Sequence, residues 1–313
     1  MLSWKPRPSF ISFVGITVVV FGLSFVTGKS VLADELGYLG PIGTYSEQAT
    51  KVYQSQTPGL YKIVPYKTIT AVTTAIKSGE VKRGLIPIEN SDSGFVAETY
   101  GLILEKLDPD WRIIDEVTIP ISSSLLVKPG TKASNIKKII SHPNALRGVA
   151  TYLQQNFPRI PLIEVSSTAA AAKQVSRGDG TTAAVASPNA AKVYGLQTIA
   201  TNIQDNDYKT NFWVIVRSSL ASFHPDSNHL IISLEAPSGS QIFSDTIAKL
   251  QDAGFYVVNV NSIPLGESIY SYRYLIRIQS NSKVSNVLKG VSILLKAVQE
   301  SGTKVLLIGA YRR

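Results

Sequence analysis

With 313 residues, 44% of them apolar, and a formal net charge of +9, the chain is long enough for two or three packed units and too apolar to be disordered. The absence of cysteine excludes disulfides, thiolate metal sites and a cysteine nucleophile. His142, His224 and His229 lack metal-ligand spacing, and the Lys and Arg residues form no basic stripe with interleaved aromatics, so no metal and no nucleic-acid partner is expected.

Residues 1–33 differ from the rest. Lys5 and Arg7 open the chain, Phe10 to Thr27 carry no charge, and Val31-Leu32-Ala33 has the small-residue spacing of a cleavage site before Asp34. The expectation is a signal peptide cleaved after Ala33 and an exported, periplasmic protein. Association with a membrane would follow only if this segment stays uncleaved, since 18 uncharged residues just suffice to span a bilayer. Removing Lys5, Arg7 and Lys29 with the segment lowers the net charge to +6.

From Leu36 to about Arg217, apolar runs at Leu85 to Ile88, Ile136 to Ile140 and Ala183 to Ala186 predict buried strands, each followed by turn residues and a helical pattern. This alternation predicts a parallel α/β layer structure. Four segments put polar groups at strand ends. Gly37-Tyr-Leu-Gly-Pro-Ile-Gly-Thr-Tyr-Ser46 leads into a helix, where N–H groups with the Thr44 and Ser46 hydroxyls would cradle a carboxylate or phosphate, or simply cap the helix. Glu89-Asn90-Ser91 follows the run Leu85 to Ile88, at a strand end where α/β proteins hold ligands. Ser141-His142-Pro143-Asn144 follows the run Ile136 to Ile140, and Thr210-Asn211-Phe212 stands where a polar turn enters an apolar strand.

Leu220 to Asn228 is polar and broken by Pro225, the pattern of a linker. Beyond it come strand (Leu230 to Glu235), helix (Ile242 to Ala253), strand (Tyr256 to Ser262), strand (Ser271 to Gln279), helix (Val284 to Gln299) and strand (Thr303 to Ile308). The βαββαβ order predicts a small antiparallel sheet with both helices on one face.

In order and spacing, the four segments resemble those of prephenate dehydratases, whose motifs read approximately G-P-x-G-T-[FY]-[ST], P-[IV]-E-N-S, S-H-P-Q-A-L-x-Q-C and T-R-F. The resemblance implies a two-lobed α/β catalytic domain of the periplasmic-binding-protein-like type II form over 34–218. Residues 36–112 and 190–218 would form one lobe and 113–189 the other, and an ACT-like regulatory or dimerisation domain would span 229–313. It further implies decarboxylating dehydration of prephenate to phenylpyruvate without a cofactor, in a homodimer or homotetramer. Thr210 would donate to the departing hydroxyl with Asn90 beside it, and Thr44, Ser46, Glu89, Ser91, Ser141, His142, Asn144, Asn211 and Phe212 would bind the substrate.

Asn211 stands in place of the family arginine, and Gly148 in place of a glutamine. These departures predict altered efficiency, with Arg147 supplying a cation to the cleft. At the phenylalanine-sensing positions the chain reads Asn261-Ser262-Ile263-Pro264, which predicts little feedback control. The alternatives are an exported solute-binding pseudoenzyme for prephenate-like anions and a non-aromatising prephenate decarboxylase.

Overall fold

The computed structural model describes Met1 and residues 34–57, 59, 61–105, 109–266, 271–280, 287–300 and 302–313. The expected leader, apart from Met1, lies outside the described residues, as do the first positions of the helix expected from Val284. Among the described residues no helix is long and apolar enough to cross a membrane. Ala33–Arg313 clusters as one unit.

The first lobe is built from β1 (Asp34–Leu39), α1 (Tyr45–Gln56), β2 (Tyr61–Tyr66), α2 (Ile69–Ser78), β3 (Arg83–Asn90), β4 (Gly94–Phe95), α3 (Ala97–Leu104) and β5 (Trp111–Pro120). The chain then crosses to β6 (Ser124–Val127), β7 (Lys138–Ser141), α4 (Pro143–Arg147), α5 (Ala150–Asn156), β8 (Leu162–Glu164), α6 (Thr168–Ser176), β9 (Thr182–Ala186), α7 (Pro188–Tyr194) and β10 (Gln197–Ala200). It returns as β11 (Lys209–Arg217), between β5 and β3. The last segment contains β12 (His229–Pro237), α8 (Gln241–Asp252), β13 (Phe255–Pro264), β14 (Ser271–Ser280), α9 (Val287–Glu300) and β15 (Val305–Tyr311).

Local chemistry sets the helix ends. The Thr68 hydroxyl accepts from Ala71 N to cap α2, and Gly79 closes that helix at φ 79°, a left-handed angle that glycine adopts without penalty. Ser167 and Ser187 cap α6 and α7 in the same way. On α2, Ile69, Val72, Ala75 and Ile76 recur at helical spacing and bury one face against the sheet around Trp213 and Trp111. The opposite face of the sheet packs Ala49 and Tyr53 of α1 on Leu85, Phe212 and Val214.

The sheets are mixed rather than parallel. β2, β1 and β3 run parallel, as do β8, β7 and β9, but β11 is antiparallel to both β3 and β5, and β6 is antiparallel to β9 and β10. The expected lobe boundaries move accordingly. β5 belongs to the first lobe because it pairs with β11 over its whole length, while α7 and β10 belong to the second because β10 hydrogen-bonds to β6. The lobes are joined through residues 121–123 and 201–208.

In the last segment β13, β14, β12 and β15 are antiparallel neighbours, and Leu250 of α8 and Val291, Leu295 and Val298 of α9 pack on Leu230, Ile232 and Leu234 of β12. β15 also pairs with β5 at Gly309 and Ile113, so this sheet continues into that of the first lobe. Gly309 permits the approach, because a Cβ there would lie 2.7 Å from that of Ile113.

Candidate active site

A cleft of 380 Å³ lies between the lobes, near the lower bound of about 300 Å³ for small-molecule sites. Its floor is formed by the ends of β3 and β11, with Pro87, Asn90, Thr210 and Phe212 facing inward. Asn90 Nδ2 donates to Thr210 Oγ1 over 2.8 Å, while Asn90 Oδ1 accepts from the backbone N of Asp92 at 2.8 Å and of Ser93 at 3.4 Å. The two backbone donors fix which end of the amide is oxygen. Because the threonine oxygen already accepts, its own proton is directed elsewhere, and Thr210, 9% exposed, can donate into the cleft.

The walls contribute helix N-termini. Thr44, Tyr45 and Ser46 bring the first turn of α1 to one side, and Ser166, Ser167 and Thr168 bring that of α6 to the other. Backbone N–H groups in a first turn lack intrahelical partners, and the helix dipole there favours anions. The Thr44 hydroxyl is occupied, accepting from Glu47 N of its own helix and donating to Leu39 O of β1, both at 3.3 Å. Lys67, between β2 and α2, is the single Lys or Arg among the described lining residues.

His142 caps α4 by accepting from Asn144 N at its Nδ1 over 3.2 Å, which leaves Nε2 as the protonated nitrogen of the neutral ring. Burial, reinforced by the Arg147 charge and opposed by Glu164, pushes its pKa below the usual 6.5. Asn144 reaches across the cleft, donating from Nδ2 to Ser93 Oγ at 3.2 Å. On another side, Ser187 Oγ donates to Gly43 O at 3.1 Å and Tyr194 OH to Ile42 O at 2.6 Å. Gly43, at φ 90°, permits this close passage.

Thus Thr44, Ser46, Asn90, His142, Asn144, Thr210 and Phe212 meet at the cleft. Five other expected residues do not line it. Ser141 is fully buried and donates to Val185 O at 2.6 Å. Ser91 extends the β3–β11 pairing, its Oγ accepting from Lys209 N at 2.9 Å. Strand alternation turns Asn211 to the back of the sheet, where its Oδ1 accepts from Thr118 at 2.8 Å, and Glu89, beside it on β3, pairs there with Arg277. Arg147 is exposed and donates to Asn144 Oδ1 at 2.7 Å, so it touches the rim through that amide. The cation lining the cleft is instead Lys67.

Gly148 does line the cleft, but a Cβ there would lie 3.1 Å from the Tyr208 ring, which fills the space beside it. Asn261, Ser262 and Pro264 sit on β13, the outer strand of the large sheet, remote in sequence and element from the cleft-forming strands.

A family model for prephenate dehydratase matches residues 36–219, the stretch that forms both lobes and the cleft. The chain belongs to the prephenate dehydratase family. The prephenate dehydratase of Lactococcus lactis is 30% identical over 284 residues, covering 88% of this chain and 97% of the relative. Among solved structures, the prephenate dehydratase from Arthrobacter aurescens in complex with L-Phe has a TM-score of 0.74 at 26% identity, over 89% of this chain and 90% of that one. The fold is also shared, at TM-score 0.75 and 20% identity over 89% of this chain and 97% of that one, with GqqA, described as a novel type of quorum quenching acylases. Fold alone therefore does not decide the reaction, and the argument for one rests on the cleft.

Proposed function

We propose that this chain catalyses the decarboxylating dehydration of prephenate to phenylpyruvate. The observation that carries the reading is the Asn90–Thr210 pair on the floor of a cleft whose walls carry two helix N-termini and Lys67. Prephenate is a dianion with a ring hydroxyl opposite a ring carboxylate. The N-termini of α1 and α6, with Lys67, suit two carboxylates held at a distance from each other. As the ring carboxylate leaves as carbon dioxide, its electron pair aromatises the ring and expels the hydroxyl, which takes a proton from Thr210 and departs as water. A threonine is too weak an acid to protonate a free hydroxyl in advance, so the proton moves as the C–O bond breaks. The threonine oxygen recovers its proton from solvent.

Incubation of the 34–313 protein with prephenate, with phenylpyruvate followed against a Thr210→Ala control, tests the reading. Thr210-dependent product supports it. Dihydro products would favour a decarboxylase, and tight binding without turnover a solute-binding protein.

The same reading covers the rest of the chain. We infer that residues 229–313 form an ACT-like domain, for which the βαββαβ order is the support. Tyr256, Val258 and Val260 lie exposed along β13, an apolar edge that supports pairing with a second copy. L-Phe is bound by the Arthrobacter aurescens relative. In this chain, neutral Asn261 and Ile263 at the corresponding positions favour weak feedback, to be checked by turnover with added L-Phe. Export with cleavage after Ala33 rests on the composition of residues 1–33 and is tested by N-terminal sequencing of protein from the periplasmic fraction.

A further inference from the structure

Behind the floor of the cleft lies a second polar cluster. At the register shift between Asn211 and Phe212, β3 holds one residue more than β11, so Ile88 joins the core on the back of the sheet beside Glu89 while Pro87 and Asn90 face the cleft. Asn211 has Glu89 as its neighbour on β3 and Thr118 as its neighbour on β5. All three therefore sit directly behind Asn90 and Thr210.

Two guanidinium groups from the last segment close on Glu89 and Thr118. Arg277 of β14 donates to Glu89 at 3.0 Å and to Glu116 at 3.3 Å, with its guanidinium carbon 5.6 Å from the centre of the Trp213 ring. Arg313 donates to Glu116 at 2.8 Å and also to Thr118 Oγ1. The Thr118 hydroxyl, its oxygen occupied, donates onward to Asn211 Oδ1 at 2.8 Å. Tyr311 OH donates to Glu116, whose side chain is only 2% exposed. A buried carboxylate so supplied with donors is a rigid anchor, whereas losing a partner leaves it costly.

A bulge bends its strand and re-aims the side chains around it, so what packs behind it helps set where they point. Here it falls one rung in from the proton-donating pair, between the pairings Asn211–Glu89 and Phe212–Pro87. We propose that Arg277 and Arg313 are positioning residues, which clamp the ends of β3 and β11 from behind and so hold Thr210 against Asn90 at the cleft. The proposal rests on the dehydratase reading for its kinetic consequence and on geometry alone for its structural one. It also gives the C-terminal segment a direct mechanical connection to the reacting groups, through Glu89 next to Asn90 and Asn211 next to Thr210.

The test compares Arg313→Ala with Thr118→Val, a near-isosteric change that breaks the same chain of bonds in the middle. Each should lower kcat about tenfold with KM within about twofold, since sub-ångström misplacement acts on the chemical step. The double variant should lose no more than either single one, because the two act in series. Asn211→Arg would crowd a third guanidinium into the cluster, against Arg313, and lower kcat, and combining it with Arg313→Ala should recover most of the loss. Unchanged kcat in the singles, or losses that multiply in the double, would overturn the proposal.

A readout free of turnover separates this from the reaction itself. The Asn90 side-chain amide, identified in ¹H–¹⁵N spectra by its disappearance in Asn90→Asp, should shift in both single variants. If it shifts while the unmodified protein makes no phenylpyruvate, the dehydratase reading fails and the clamp stands; an unshifted amide refutes the clamp.

Discussion

Asn90 Nδ2 donates to Thr210 Oγ1 over 2.8 Å, and that one bond decides which way the threonine proton points. Replacing Asn90 by Asp keeps the acceptor that holds Asp92 N and Ser93 N but turns the remaining nitrogen into an oxygen. Thr210 would then donate to the carboxylate instead of the leaving hydroxyl. Asn90→Asp should lower kcat by about two to three powers of ten, approaching the roughly 10²- to 10⁴-fold loss expected of Thr210→Val. Single-turnover formation of phenylpyruvate measures both, and a wild-type rate in Asn90→Asp would remove the proton-donor assignment.

His142 and His229 should make the fold sensitive to acid. Burial is the first cause of a lowered pKa in both, so each ring holds its proton less readily in the folded chain than at the ordinary 6.5. Below pH 6.5 the unfolded chain therefore binds more protons than the folded one, and stability falls as the pH drops from 6.5 through the lower folded values. About one pH unit above 6.5 both rings are neutral in either state and contribute no slope. Thermal melts of 34–313 should show a Tm independent of these rings near pH 8, a decline that sets in as the pH approaches 6.5, and a continued decline below it. His142→Gln should flatten that decline in part; an unchanged slope would show that the ring is not held neutral.

Lys67 should act on binding rather than on chemistry. It is the lining cation, yet its side chain is exposed, so water and salt screen it and its effect lies at the low end for a charge-assisted contact. Lys67→Met should raise KM for prephenate about tenfold, with kcat changed less. The wild-type KM should also climb with ionic strength more steeply than that of the variant. If the two salt dependences coincide, the lysine does not meet the substrate.

Much of this site could be read from the chain because strand ends and helix caps write themselves in local residue types. Asn90, His142 and Thr210 each follow or open an apolar run, and Thr44 stands at a helix start, so their meeting at one cleft follows from the α/β layering. Ser166-Ser167-Thr168, before an alanine-rich helix, carries the same signal. What local pattern does not encode is side. Glu89 and Asn211 stand next to the cleft residues Asn90 and Thr210 and point to the back, and for Glu89 only the pairing of β3 with β11, with Ile88 as its extra residue, fixes that. The mixed sheet was hidden for the same reason, since β11 returns from the second lobe to pair with strands about 90 to 130 residues earlier, a long-range choice that periodicity does not record.

Tyr208 and Gly148 form the last pair that a substitution can test. A Cβ on Gly148 would lie 3.1 Å from Tyr208 Cε2 and 3.4 Å from Asn144 O, so any longer side chain there has to displace the ring. The backbone itself is no obstacle, because Gly148 has ordinary helical angles, φ −69° and ψ −3°. Gly148→Gln, which restores the residue of the family motif, should therefore destabilise the fold by about 1–3 kcal/mol through overpacking alone. Tyr208→Ala should cost stability as well, by leaving a void against Gly148. Combined, the glutamine fills the space the ring vacates, and the double variant should be more stable than the sum of the singles implies. Urea unfolding of the four proteins closes this cycle. Strict additivity would mean that the tyrosine does not occupy the volume of the missing glutamine, and that the cleft lost that side chain without replacement.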